Sequence, residues 1–293
     1  MRDRPRIKFW LRPVERRAGE LQFGLGPSGV ILQGLSSAET QLLASLDGSL
    51  TRRDTFEQAR TAGVSAGRWR ELLDVLHRLD VLDPEEAHGL PPQRIPGHVL
   101  VDGCGDLAAD CASLLRRCRL ERVSHGRTAV DVTLSAAGTN RPDLVVIVGD
   151  RAIDPRRGDV WLRQRVPHLP VIASGRQGEV GPLLDASPAT PCLWCLDLHR
   201  SDRDDEWPAV MAQLCRTEAD SLIGSFVVPE PPAGLAQLVS GVVGLYAVGL
   251  LTGDRPPAGI SAELSLPWPR MDHRRWSRHP RCERHVGAHS DVA

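Results

Sequence analysis

A chain of 293 residues, 41% hydrophobic and 25% charged, is long enough for two ordinary domains with their own cores, which excludes disorder throughout. Lys+Arg 36 against Asp+Glu 37 leaves a net charge of -1, so no whole-protein attraction to nucleic acid or to an anionic membrane is indicated. Met1 to Arg6 is charged and leads into no apolar segment of signal length, which points to the cytoplasm.

From about Ile7 to Leu82 the pattern predicts one small domain, taken here as residues 1–83. Leu21 to Leu25 and Val30 to Leu35 are apolar-rich runs separated by Gly26-Pro27-Ser28-Gly29, a hairpin with turn chemistry in place. Ser36 with Glu39 makes a capping box that opens a helix ending at Gly48. Thr51 and Asp54 open a second, which stops near Gly63. Ser65 opens a third, with Trp69, Leu72, Leu73, Leu76 and Leu79 on one face at helical spacing. A hairpin and three helices are the composition of a winged-helix domain. Its arginines alternate with Asp54, Glu57, Glu71 and Asp74, which forms salt-bridge faces rather than a phosphate track and argues against DNA binding.

Residues 84–97 hold Pro84, Pro91, Pro92 and Pro96 with scattered charge and read as a stiff linker. The second domain, 98–293, opens with a buried strand at Val99 to Val101 and a helix at Leu107 to Cys118. Strands follow at Val130 to Leu134, Leu144 to Val148, Pro170 to Ala173 and Val180 to Leu184. Strands alternating with helices imply an α/β fold with a parallel sheet. Gly234 to Leu251 is apolar but contains Gln237, Ser240 and Tyr246, and is expected to be a buried core helix rather than a membrane span. No Gly-x-Ser-x-Gly elbow supports a hydrolase. His199 with Asp197 and Asp202 reads as part of a solvated, charge-dense stretch.

Between the first strand and helix lies Gly103-Cys104-Gly105-Asp106-Leu107-Ala108, a nucleotide-fold turn in the right context, with Gly103, Gly105 and Ala108 as its small positions. Asp106 puts a carboxylate where a phosphate would collect backbone donors. Arg122 to Gly126 offers no acid for a ribose. The turn therefore reads as vestigial, retaining the fold without ATP.

Cys192-Leu-Trp-Cys195 and Cys282-Glu-Arg-His285 carry the sharpest chemistry. Two intervening residues let one turn present two donors to one ion, and thiolate with imidazole is a tetrahedral zinc set. Cys192, Cys195, Cys282 and His285 would staple the end of the chain to its middle, with His279 and His289 competing for the fourth position. A redox pair has no thioredoxin-like context here. Cys104, Cys111, Cys118 and Cys215 are most simply reduced core residues.

The glycine turn, the run Gly181-Pro182-Leu183, the segment Thr190-Pro191-Cys192-Leu193-Trp194-Cys195-Leu196-Asp197-Leu198-His199 and the tail Arg275-Trp276-Ser277-Arg278-His279-Pro280-Arg281-Cys282 resemble the ThiF-like, ubiquitin-activating-like superfamily. Within it they resemble the actinobacterial cyclodehydratase-type, leader-peptide-binding proteins of thiazole/oxazole-modified peptide pathways. The resemblance implies a ThiF-like Rossmann-type fold and a structural zinc on the cysteine pairs, His285 standing where a last cysteine is usual. It also implies a degenerate, non-catalytic docking subunit that binds a leader peptide through its N-terminal domain and works with a separate YcaO-type enzyme. Val30, Leu32, Trp69 and Arg70 are the expected peptide contacts, as an edge strand with a helix beside it. An active adenylyltransferase and a winged-helix DNA regulator are the alternatives. A homodimer is left open.

Overall fold

Three helices near the start of the computed structural model begin where side chains replace missing backbone partners. Its described residues are 4–26, 29–83, 94–135, 141–187, 189–215 and 230–284. They form two compact units, Met1–Pro92 and Gln93–Ala293, each described by itself.

In the first unit, strands β1 (Pro13–Arg17), β2 (Glu20–Phe23) and β3 (Val30–Gln33) form an antiparallel sheet in that order. The hairpin is as expected, pairing Phe23 with Val30. β1 was not legible: its burial pattern is exposed almost throughout, so no alternation marks it. Helices α1 (Ser37–Ala44) and α2 (Arg52–Thr61) carry full capping boxes on Ser36/Glu39 and Thr51/Asp54, and Ser65 caps α3 (Ala66–Arg78). Leu21 and Phe23 from the sheet meet Leu43, Trp69, Leu73 and Leu76 from the helices in one core. The interior of this unit is thus filled by period-two residues of one element and period-3.6 residues of the others.

The second unit is built on a seven-stranded mixed sheet in the order β10-β9-β8-β7-β6-β4-β5. Strands β4 (Ile95–Asp102), β5 (Leu120–His125), β6 (Leu144–Gly149) and β7 (His168–Ser174) are parallel. β8 (Gln177–Val180), β9 (Ile260–Ser265) and β10 (Arg270–Arg275) extend them antiparallel, so the sheet is mixed rather than wholly parallel. β4 starts at Ile95, three residues inside the segment read as linker. β6 is buried along its whole length, as a strand covered on both faces must be.

One expected strand is a helix. Val130 to Leu134 lies inside α5 (Arg127–Ser135), with Val132 at 56% and Leu134 at 36% exposure. Ala129 and Val130 pack inward, and Thr133 Oγ1 donates to Ala129 O at 2.8 Å. Those positions share a helix face, and nine residues are too few for period alone to decide. β8 ends at Val180, earlier than the run to Leu184 suggested, because Gly181 has φ +88° and turns the chain.

Helices cover both faces of the sheet. α4 (Asp106–Arg117) and α9 (Ala233–Thr252) bury Val99, Val101, Val146 and Val171. On the other face, α6 (Asp159–Arg163) and α7 (Leu193–Ser201) close over Leu100, Val145 and Ile147. A short helix, α8 (Trp207–Leu214), follows α7. α9 is long and apolar enough to cross a membrane by length and composition, yet its inner face packs on α4 and the sheet.

Candidate metal clip and nucleotide turn

The clip starts at the head of α7. Cys192 is its N-cap residue in extended conformation and Cys195 lies in its first turn, so the helix start turns both sulfurs the same way. Cys282 arrives from the tail beyond β10. All three are buried, their sulfurs within 4.8 Å of one another. Cys192 Sγ is 3.8 Å from Cys195 Sγ and 3.6 Å from Cys282 Sγ. A disulfide needs about 2.05 Å, so these are separate thiols. Zinc with Zn–S bonds of about 2.3 Å in a tetrahedron sets its sulfurs about 3.8 Å apart, which is the spacing observed.

Backbone N–H groups point at the sulfurs, that of Cys195 at Cys192, of His279 at Cys195 and of Arg284 at Cys282. The Cys192 thiol donates to Cys195, which holds Cys195 well below the usual thiol range. The same contact, with burial, pushes Cys192 up, and burial pushes Cys282 up. One thiolate flanked by two thiols that a cation would deprotonate is a donor set that suits a soft-tolerant cation.

His285 and His289 lie outside the described residues. His279 does not join the three sulfurs: its Nε2 donates to Asp202 Oδ2 at 2.7 Å, where His199 also lies, and its Nδ1 accepts the Arg281 N–H at 3.1 Å. It is instead a strut, buried to 4% exposure, that lends its backbone to Cys195. The surrounding tail is pinned by aromatic and ionic contacts. Arg200 donates to both Glu179 oxygens, at 3.2 and 2.9 Å, and its guanidinium lies over Trp207 and Trp276. Trp276 Nε1 donates to Ser261 Oγ at 2.9 Å. Burial pushes the Glu179 carboxyl up, which the Arg200 charge opposes. Of the other cysteines only Cys111 is buried; Cys104 is exposed, and Cys118 and Cys215 are intermediate, so they are not core residues as a group.

The glycine turn joins β4 to α4 at the carboxyl ends of the parallel strands, where nucleotides bind in such sheets. Gly103 is required by packing, since a Cβ there would sit 2.8 Å from Val148 Cβ. Gly105 has φ +81° and caps α4, and Ala108 is fully buried. The crevice between the ends of β4 and β6 is bridged by Arg157. Its guanidinium donates to Val148 O at 2.9 Å and Asp102 O at 2.8 Å, and pairs with the Asp102 carboxylate at 3.0 Å. Asp106 stands in the first turn of α4, and Glu230 Oε1 comes within 3.5 Å of where a Gly105 Cβ would be. Sequence reasoning missed Arg157, because no spacing ties it to the turn.

The expected peptide contacts divide. Val30 and Leu32 are half-buried and pack on the core, while Ile31 beside them is 41% exposed. β3 is an edge strand among the described residues. Trp69 is corrected: it is wholly buried, its Nε1 donating to Thr55 Oγ1 at 3.3 Å, and it presents nothing to a ligand. Arg70 is exposed, with its guanidinium 5.7 Å from the centre of the Phe56 ring.

No family model matches the chain, and no curated protein sequence matches it. Solved structures share its fold. A heterocyclase in complex with substrate and cofactor superposes with TM-score 0.68 at 14% identity, covering 95% of this chain and 39% of that one. The heterocyclase TruD gives 0.66 at 17%, covering 95% and 42%. E. coli MccB with AMPCPP and MccA gives 0.64 at 10%, covering 96% and 99%. The chain therefore has the α/β fold of heterocyclase and MccB proteins, spans about two fifths of the length of these heterocyclases, and spans nearly all of MccB.

Proposed function

We propose that the chain is a non-catalytic, peptide-binding scaffold of a ribosomal-peptide modification system, with a zinc clip that is structural. Its likeness to MccB in complex with MccA, and to a heterocyclase with substrate, supports work on a peptide. The observation that carries the non-catalytic part is Arg157, which fills the crevice where an adenylating fold would seat its nucleotide, with Asp106 and Glu230 repelling phosphate beside it. Without phosphate and ribose anchors, ATP has little to orient it for transfer.

In this reading the N-terminal unit is a winged-helix-like leader-binding module. The peptide adds to β3 as a further strand, through main-chain hydrogen bonds and contacts to Ile31 and Arg70. A separate ATP-dependent enzyme of YcaO type supplies the chemistry, in the cytoplasm. More than half of each heterocyclase lies outside the match, room for a function that this chain would take from a partner.

The test is calorimetric titration of the full chain with a synthetic leader peptide of a thiazole/oxazole-modified precursor and, separately, with ATP. Peptide binding that weakens about tenfold with Arg70→Glu, together with no ATP heat and no pyrophosphate exchange, is the expected result. Adenylation is the second reading, favoured by the likeness to MccB with AMPCPP along nearly the whole of both chains. Micromolar ATP binding abolished by Gly105→Trp would establish it instead.

A further inference from the structure

The last turn of α7 carries His199, and Asp202 is its C-cap residue. Three residues apart, the two side chains stand on one face of the helix end. His279 reaches the same place from the tail. One ring nitrogen of each histidine and a carboxylate oxygen of Asp202 lie within 4.8 Å of one another, and the two rings meet edge to face with centroids 4.8 Å apart. Asp197, grouped with them in the sequence, is engaged elsewhere, its Oδ1 accepting from Trp207 Nε1 at 2.7 Å. A strut needs only part of this group: His279 and Arg281 both bond to Asp202, and that pairing is complete without His199. His199 donates from Nε2 to Ser277 O at 3.0 Å, which puts its proton on Nε2 and the lone pair on Nδ1. An imidazole held through one nitrogen by a backbone carbonyl, with the lone pair on the other, is the arrangement of a histidine ligand.

We propose that His199, Asp202 and His279 form a second metal site, which takes a divalent first-row ion of the zinc class with water in the remaining position. Two imidazoles and one carboxylate are a set that holds zinc with one position open, and the imidazoles select zinc, cobalt or nickel over magnesium and calcium. The site is open on one side, for the His279 side chain is 2% exposed and that of Asp202 46%. The ion takes the place of the Nε2 proton of His279, which moves to Nδ1 and gives up the contact from Arg281 N. It also parts Nε2 from Asp202 Oδ2, from 2.7 Å to the distance of about 3.4 Å that two donors on a tetrahedral ion require. Asp202 keeps the Arg281 guanidinium on its other oxygen throughout. These costs make the site weaker than the sulfur clip, so it fills only when metal is added. His199 follows Cys195 by one turn of α7 and His279 precedes Cys282 in the tail, so the second ion fastens the tail to the helix one turn beyond the first. The site is independent of the peptide reading.

Cobalt(II) added to the full chain, reduced, loaded with zinc and freed of loosely held metal, reads it out, because the cobalt spectrum reports its ligands. The wild type should bind about one cobalt per chain, with the ligand-field bands of a nitrogen and oxygen site, no sulfur-to-cobalt band and unchanged zinc content. His199→Gln, which leaves the bond between His279 and Asp202 in place, should raise the cobalt dissociation constant more than about tenfold. Asp202→Asn, whose amide oxygen still accepts from His279, should do the same, and both variants should keep the wild-type circular dichroism melt. No cobalt bound beside the zinc, a spectrum of thiolate bands alone, or equal binding by His199→Gln overturns the proposal.

Discussion

His168 is wholly buried at the start of β7, and its Nδ1 lies 3.1 Å from Val166 O. That contact makes Nδ1 the donor and leaves Nε2 without a partner among the described residues, with a Gly158 Cβ position only 3.2 Å away. Burial drops the imidazole from 6.5 to about 4. The folded state therefore binds fewer protons than the unfolded one between those values, so stability is full above pH 6.5 and is lost as pH falls toward 4. A shift of this size corresponds to about 3 kcal/mol. Denaturant melts of wild type and His168→Leu across that range should show a steeper loss on acidification in the wild type. Parallel curves would mean the imidazole is hydrated after all. The same scale separates what residue type reveals from what it hides. The cysteines were legible because thiolate chemistry and two-residue spacing leave few uses for them. Trp69 was not, since its helical spacing fits a core face and a groove wall equally well. Arg157 has no pattern at all, because its partners are main-chain carbonyls brought together by the sheet.

The capping boxes of α1 and α2 look alike in sequence but carry different weight in the fold. Glu39 accepts from Ser36 N at 2.7 Å and from Arg68 Nε at 2.7 Å, so it caps α1 and also ties it to α3, at 7% exposure. Asp54 accepts from Thr51 N at 3.1 Å, has no link to another helix among the described residues and stays at the surface. Glu39→Ala should therefore cost about 2 kcal/mol by chemical denaturation, with Asp54→Ala costing clearly less. Equal losses would show that the Arg68 link contributes nothing. Elements with a side-chain cap, such as α1, α2 and α3, a sustained apolar period, such as α4, or an unbroken apolar run, such as β6, could be read from sequence. Those without such signals were lost or misassigned. β1 and β10 are exposed along most of their length, and α5 has β-branched residues on an alternating pattern that helix packing overrode.

At the scale of the whole chain, all seven cysteines lie in the second unit, and the first unit has its own core of Leu21, Phe23, Leu43, Trp69, Leu73 and Leu76. A metal held by Cys192, Cys195 and Cys282 would thus tie the tail to α7 within the second unit. The sheet of the second unit is already closed by α4 and α9 on its other face, so loss of the ion should free the tail rather than unfold the sheet. This differs from a zinc finger, in which metal binding supplies nearly all of the folding free energy. We expect about one zinc per chain in freshly purified, reduced protein. Chelation, or Cys282→Ser, should lower the melting transition of the second unit and leave that of the first in place. Tryptophan emission should shift, because Trp276 packs in the same core cluster as the three cysteines, while far-ultraviolet dichroism changes little. Absence of zinc from reduced protein would remove the clip. Equal displacement of both transitions by chelator would instead show that the ion supports more of the molecule than its tail.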